Sequence, residues 1–159
     1  MAETSTAGPT GTRRTRVGRR SIQNHVYHVV ARTALGRPVF ADLFAARQLV
    51  LAIRRQHDAG FASTLAFVVM PDHLHWLMQL HRGRSLSAVV KSVKSESARN
   101  CNRLTGEKGA LWQHGFYDRA IRRDDDLRTV ARYIVANPLR GGLVSSLREY
   151  PHWYSCWLQ

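Results

Sequence analysis

The chain is short of acid. Its 159 residues carry 11 Asp and Glu against 24 Lys and Arg, a formal charge of +13 with neutral histidines. A surplus on that scale favours a polyanionic partner, because Lys and Arg that bind phosphates release their counterions. Cysteine is scarce as well. Cys101 and Cys156 are far apart and form no CxxC pair, which leaves neither a disulfide framework nor a zinc knuckle, and free thiols are expected. Long apolar runs are missing: none approaches the roughly 20 residues of a membrane span. The N-terminus also lacks the apolar segment of a secretory signal, so an intracellular, cytoplasmic protein with no membrane attachment is expected. No internal repeat is evident. What remains is a hydrophobic fraction of 44%, ordinary for a soluble domain, in a length that suits one core.

Residues 1–21 read as a basic flexible tail, rich in Thr, Ser, Gly and Arg and nearly without large apolar side chains. Arg13, Arg14, Arg16, Arg19 and Arg20 make it suited to lie along phosphates or in a minor groove. Residues 22–159 read as a single domain. A β-branched stretch from Val26 to Val30 predicts a first strand. A helix is expected from about Ala41 to His57, with Leu43, Ala46, Val50 and Ile53 on its buried face and Gly60 past its end. Thr64 to Met70 and His73 to Leu80 predict two strands joined at Pro71-Asp72. A helix capped by Ser85 or Ser87 follows, burying Leu86, Val89, Val90, Val93 and Ser97. A short extended piece lies within Leu111 to Ile121. Asp124 or Asp125 is expected to start a last helix, which Asn137-Pro138 ends. This order suggests an α+β fold with helices on one face of a mainly antiparallel sheet.

Two constellations carry chemistry. In Met70-Pro71-Asp72-His73-Leu74-His75-Trp76, the alternation of a strand puts His73 and His75 on one face, where both can reach a single cation. Leu74, Trp76 and Met78 then face the core. On the last helix, Leu127, Val130 and Ile134 form the apolar stripe, and Tyr133 and Asn137 are an i, i+4 pair on its flank. Tyr133 is expected at the border of core and solvent, with an amide oxygen from Asn137 one turn on. A phenol ionises near pH 10 and is almost wholly protonated at neutrality, and a phosphodiester repels nucleophiles with its negative oxygens. A divalent cation held by two imidazoles and an amide oxygen answers the second problem and leaves positions open for phosphate and water. The parts fit attack by Tyr133 on a phosphodiester to give a covalent phosphotyrosine.

Three stretches resemble the single-tyrosine HUH transposase superfamily, and within it the REP-associated tyrosine transposases. They are "FVVMPDHLHWLMQ" (Phe67 to Gln79), "LWQHGFYDRAIR" (Leu111 to Arg122) and "LRTVARYIVANPLRGGLV" (Leu127 to Val144). The resemblance covers about residues 22 to 157, and its specificity comes from the three motifs standing in this order. It implies a ferredoxin-like sheet, a Mg²⁺ or Mn²⁺ ion, and cleavage and rejoining of single-stranded DNA beside hairpins or palindromic repeats. By position, Tyr133 matches the nucleophile, His73 and His75 the paired ligands and Asn137 the third. Tyr117 is the rival tyrosine. A nucleoid-associated monomer or homodimer follows from the same resemblance. Lys91, Lys94, Arg119, Arg122 and Arg123 are the basic candidates for tracking DNA near the site, and Trp112 or Phe116 the candidates for stacking on an unpaired base. Two other readings stand beside this one: a DNA-hairpin-binding module without turnover, and a zinc-dependent hydrolase that uses the His pair and water, with Asp72 as the only nearby carboxylate.

Overall fold

The computed structural model describes residues 21–122 and 125–158. Five strands, β1 (Val26–Arg32), β2 (Ala62–Met70), β3 (His73–Leu80), β4 (Tyr117–Ala120) and β5 (Trp153–Ser155), form one antiparallel sheet in the order β4-β1-β3-β2-β5. The helices are α1 (Leu43–Asp58), α2 (Leu86–Thr105), α3 (Leu127–Val135) and the single turn α4 (Asn137–Arg140). The anticipated α+β antiparallel sheet is therefore present, extended by a C-terminal edge strand that was not anticipated. The basic tail up to Arg20, and Arg123 with Asp124, lie outside the described residues.

The sheet separates two cores. Tyr27, Val29, Ala31, Phe67, Val69, Leu74, Trp76 and Met78 line one face, against Ala46, Leu49 and Ile53 of α1 and Val89, Val90 and Val93 of α2. Trp76 is fully buried there, and its indole N–H donates to Thr64 Oγ1 at 3.1 Å. Ala66, Val68, Met70 and Leu77 line the other face, against Ala131, Ile134 and Val135 of α3. The expectation of helices on one face thus holds for α1 and α2, whereas α3 packs on the opposite side. A bulge at Thr64/Ala66 changes the phase of β2, so that Thr64 and Phe67 serve the first core and Ala66 and Val68 the second.

Helix boundaries follow local chemistry. Ser85 caps α2 by accepting from the Ala88 N–H, and Gly106, at φ 72°, ends it in the left-handed conformation. Asp42 caps α1. The buried face of α1 is turned from the expected one: Ala45, Ala46, Leu49, Ala52 and Ile53 are buried, while Leu43, in the first turn, is exposed. The cap of α3 is Asp126 rather than Asp124 or Asp125. Its carboxylate accepts from the Arg128 N–H at 2.9 Å and the Thr129 hydroxyl at 2.7 Å.

Those bonds from Thr129 and Arg128 hold the Asp126 carboxyl below its ordinary range. The ionised cap therefore stabilises the folded state above the ordinary carboxylate pKa, and the benefit is lost as pH falls through the lowered value. Asp126→Ala is expected to unfold at a lower temperature than wild type at neutral pH. The gap should close in strong acid, and melts across a pH series measure it.

Candidate active site

His73 and His75 lie on the sheet face that carries α3. Their end of the sheet is pinned by Thr33, fully buried, whose N–H and hydroxyl both donate to the Asp72 carbonyl at 2.9 and 3.1 Å. The turn between β2 and β3 is thus tied to the end of β1, and the spacing of the two imidazoles follows from β3. Their ring centroids are 5.0 Å apart and the rings nearly perpendicular.

Each ring is held from behind. His73 Nδ1 meets Asp72 Oδ1 at 2.6 Å, and His75 Nδ1 meets His28 Nε2 at 2.9 Å. His28 comes from β1, on the same face, one diagonal step from His75 in the register. Burial, followed by the charges of His28, His73, Arg32 and Arg140, pushes the pKa of His75 down to about 3. That ring is neutral at any physiological pH and offers a lone pair rather than a charge. Burial and Arg119 also lower the pKa of His28.

Above this face, α3 ends at Val135, and α4 begins at Asn137 with Pro138 buried behind it. Tyr133 is 59% exposed, further into solvent than a border position. Its ring is covered by the Arg140 guanidinium at 3.8 Å from the ring centroid, and Arg140 also donates to the Tyr133 carbonyl at 2.7 Å. The charge of Arg140 is the smallest of those that lower the His75 pKa. Asn137 Nδ2 donates to the Ile134 carbonyl at 2.8 Å, which leaves Oδ1 as the free end of the amide. A methyl group at Gly141 would stand 3.2 Å from the Asn137 carbonyl and 3.5 Å from Met70 Cε. Met70 is the cross-strand partner of His73, so the α3–α4 corner rests on the His-bearing end of the sheet.

The donor set fits a divalent cation. Both imidazoles have Nδ1 engaged and Nε2 free, and the amide has its nitrogen engaged and its oxygen free; anchoring of this kind orients metal ligands. Among the described residues, no group of three or more His, Cys, Asp or Glu could hold a metal ion. An ion here would take two imidazoles, with Asn137 completing the protein's share and open positions left over.

The other expected residues divide. Arg119, on β4, pairs with His28 and is exposed on the site's face. Arg122 lies at the far end, against the turn before α3, its N–H bonded to Asp125. Lys91 and Lys94 sit on α2, in the opposite layer. Lys94 is engaged there, donating to the carbonyls of Gln113 and Gly115 at 2.8 and 2.6 Å. Trp112 is not a stacking platform but a core residue, packed on Phe40 and bonded to Ser97. Phe116 is partly buried against the same core. Tyr117 occupies β4 opposite Val30, which itself pairs with His75, so this rival tyrosine stands exposed on the site's own face. Sequence reasoning missed His28 and Arg140. The phase of β1 could have placed His28 on the face opposite Tyr27 and Val29; nothing in the spacing signals Arg140.

Comparison with known proteins now bears on this geometry. The family model described as "Transposase IS200 like" matches residues 21–137. The chain belongs to that family. A REP-associated tyrosine transposase of Escherichia coli K12 is 32% identical over 106 residues, covering 66% of this chain and 59% of the relative. A Haemophilus influenzae protein provisionally given the same name is 31% identical over 99 residues, 56% of each chain. The matches thus span under two thirds of either relative's length. The fold is similar to that of a REP-associated tyrosine transposase bound to a REP hairpin, with a TM-score of 0.69, 23% identity, and coverage of 85% of this chain and 79% of that one. Among the described residues, no helix of this IS200-like chain is long and apolar enough to cross a membrane.

Proposed function

We propose that this chain cuts and rejoins single-stranded DNA at hairpin or palindromic sites, with Tyr133 as nucleophile. What supports this most is the convergence at one end of one sheet face: two imidazoles with free Nε2 atoms, and a helical corner carrying a tyrosine, a free amide oxygen and an arginine. The similar structure of a transposase bound to a REP hairpin supports the choice of substrate.

In this reading, Tyr133 Oη attacks a phosphorus of the DNA. The Oη–P bond forms, the bond from phosphorus to the 3′ oxygen of the preceding nucleotide breaks, the phenol proton passes to water, and water returns a proton to the leaving 3′ oxygen. The products are a 5′-phosphotyrosine and a free 3′-hydroxyl. Because one phosphoester replaces another, a 3′-hydroxyl can reverse the step or join a new end. Arg140, lying over the tyrosine ring, holds a non-bridging phosphate oxygen and places the phosphorus near Oη. His73, His75 and Asn137 would hold Mg²⁺ or Mn²⁺, which when bound offsets negative charge on the phosphate in the transition state. Arg119 and the exposed side of β1 and β4 offer the DNA a basic path away from the site.

The test is an adduct assay with the nucleophile mapped. Labelled single-stranded oligonucleotides, hairpin-rich genomic sequences among them, are incubated with the protein and Mn²⁺ and run on denaturing gels. A chelator-sensitive adduct is expected, and tryptic digestion should place the nucleotide remnant on the peptide 133–140. A remnant on 109–119, which contains Tyr117, would reassign the nucleophile. Hairpin binding without any adduct would favour a binding module, and cleavage without an adduct, with zinc bound in the protein, would favour a hydrolase.

A further inference from the structure

We infer that His28 is a positioning residue that selects the tautomer of His75 and so presents His75 Nε2 to the ion. The inference rests on the metal-site reading of His73 and His75. A neutral imidazole carries one N–H and one lone pair. If His75 kept its proton on Nε2, it could not ligate through that atom. The 2.9 Å contact between His28 Nε2 and His75 Nδ1 accommodates a single proton. When His28 Nε2 accepts, the proton lies on His75 Nδ1 and Nε2 is bare. When His28 Nε2 donates, the site is blocked.

His28 is not itself a third ligand through this contact. The ring centroids are 5.2 Å apart, close to the 2.9 Å gap plus the two ring radii, so the nitrogens face each other almost end on. An ion needs about 2.0–2.1 Å to each nitrogen, and two nitrogens aimed at one another would have to stand about 4 Å apart to admit it. The gap has room for a hydrogen bond and nothing larger. Asp72 performs the corresponding task for His73, also through Nδ1. The two ligands thus have different supports: a carboxylate behind one ring, and an imidazole from the neighbouring strand behind the other. Ligand-orienting partners of this kind typically change metal affinity by about 10–100-fold.

The test reads metal binding rather than turnover. Mn²⁺ binding is measured on wild type, His28→Phe, His28→Gln and His75→Ala, with thermal melts to verify folding. Phe keeps the ring volume and removes the acceptor; Gln restores an acceptor oxygen. His28→Phe should weaken Mn²⁺ by about 10–100-fold and His28→Gln should recover most of the loss. A His28→Phe protein that binds Mn²⁺ within twofold of wild type, while His75→Ala does not bind, overturns the role of His28 and leaves the metal site standing. If His75→Ala binds Mn²⁺ as well as wild type, the metal-site reading falls and takes the inference with it. A second measurement needs no variant. Nitrogen NMR of the metal-free protein should show His75 protonated on Nδ1 and bare on Nε2, and the reverse assignment also overturns the inference.

Discussion

Tyr133→Phe is expected to bind hairpin DNA as wild type does and to form no covalent adduct. The substitution removes one oxygen from a side chain that is largely exposed, so little core packing is lost. The ring remains for Arg140 to cover, and the Arg140 bond to the Tyr133 carbonyl is untouched. What disappears is the atom that would bond to phosphorus. Loss of a nucleophile leaves only the catalysis that positioning and charge give to water, and a fall of at least about 10³-fold in strand cleavage is expected. Single-turnover cleavage of a labelled hairpin, with binding measured separately, checks it. Tyr117→Phe provides the contrast, because Tyr117 shares the face but stands on β4, away from the α3–α4 corner. Equal adduct yields from wild type and Tyr133→Phe would remove Tyr133 from the mechanism.

Trp76→Ala is expected to destabilise the fold by about 3–5 kcal/mol. Trp76 is fully buried between β3 and the α1–α2 layer, and its loss opens a cavity next to the fully buried Met78 and Leu80. It also removes the donor that satisfies Thr64 Oγ1, which leaves a buried hydroxyl without its partner. Against the roughly 5–15 kcal/mol that a domain has in total, such a loss is a large fraction. Urea denaturation should show a much lower midpoint. Because Trp76 is next to His75 in sequence, the variant should also lose metal binding in proportion to its unfolded fraction. His75→Ala should show the converse, a metal defect with a near-wild-type midpoint.

The strand-turn-strand of β2 and β3 was legible because β2 is a continuous apolar, β-branched run, β3 alternates, and Pro71-Asp72 marks the turn. The α2 face was legible for the same reason, and so was the coincidence of His73 and His75. What was not legible is mostly a matter of which side an element chooses. The apolar stripe of α3 says that the helix is buried, but not against which face of a sheet whose central strands are apolar on both. The three residues of β5 are too few for a period to register. Leu43 matched the helical stripe yet is exposed in the first turn of α1, where Ala45 and Ala46 are buried instead. Lys94 and Trp112 had the composition of DNA-contacting residues and turned out to hold the loop before β4 and the first core. The His28–His75 pair joins residues 47 apart in sequence, and no local pattern announces it.

The odd and even residues of β3 have separate employments. Leu74, Trp76 and Met78 belong to the main core, while His73 and His75 belong to the site and Leu77, on their side, to the second core. A slip of one residue in β3 would exchange the two sets and ruin both, so drift along this strand is confined to substitution in place. Replacing His73 or His75, however, removes no member of either core cluster. A descendant could lose either imidazole, or Tyr133, and still inherit an intact scaffold with its basic surface. The architecture therefore allows chemistry and shape to be inherited separately.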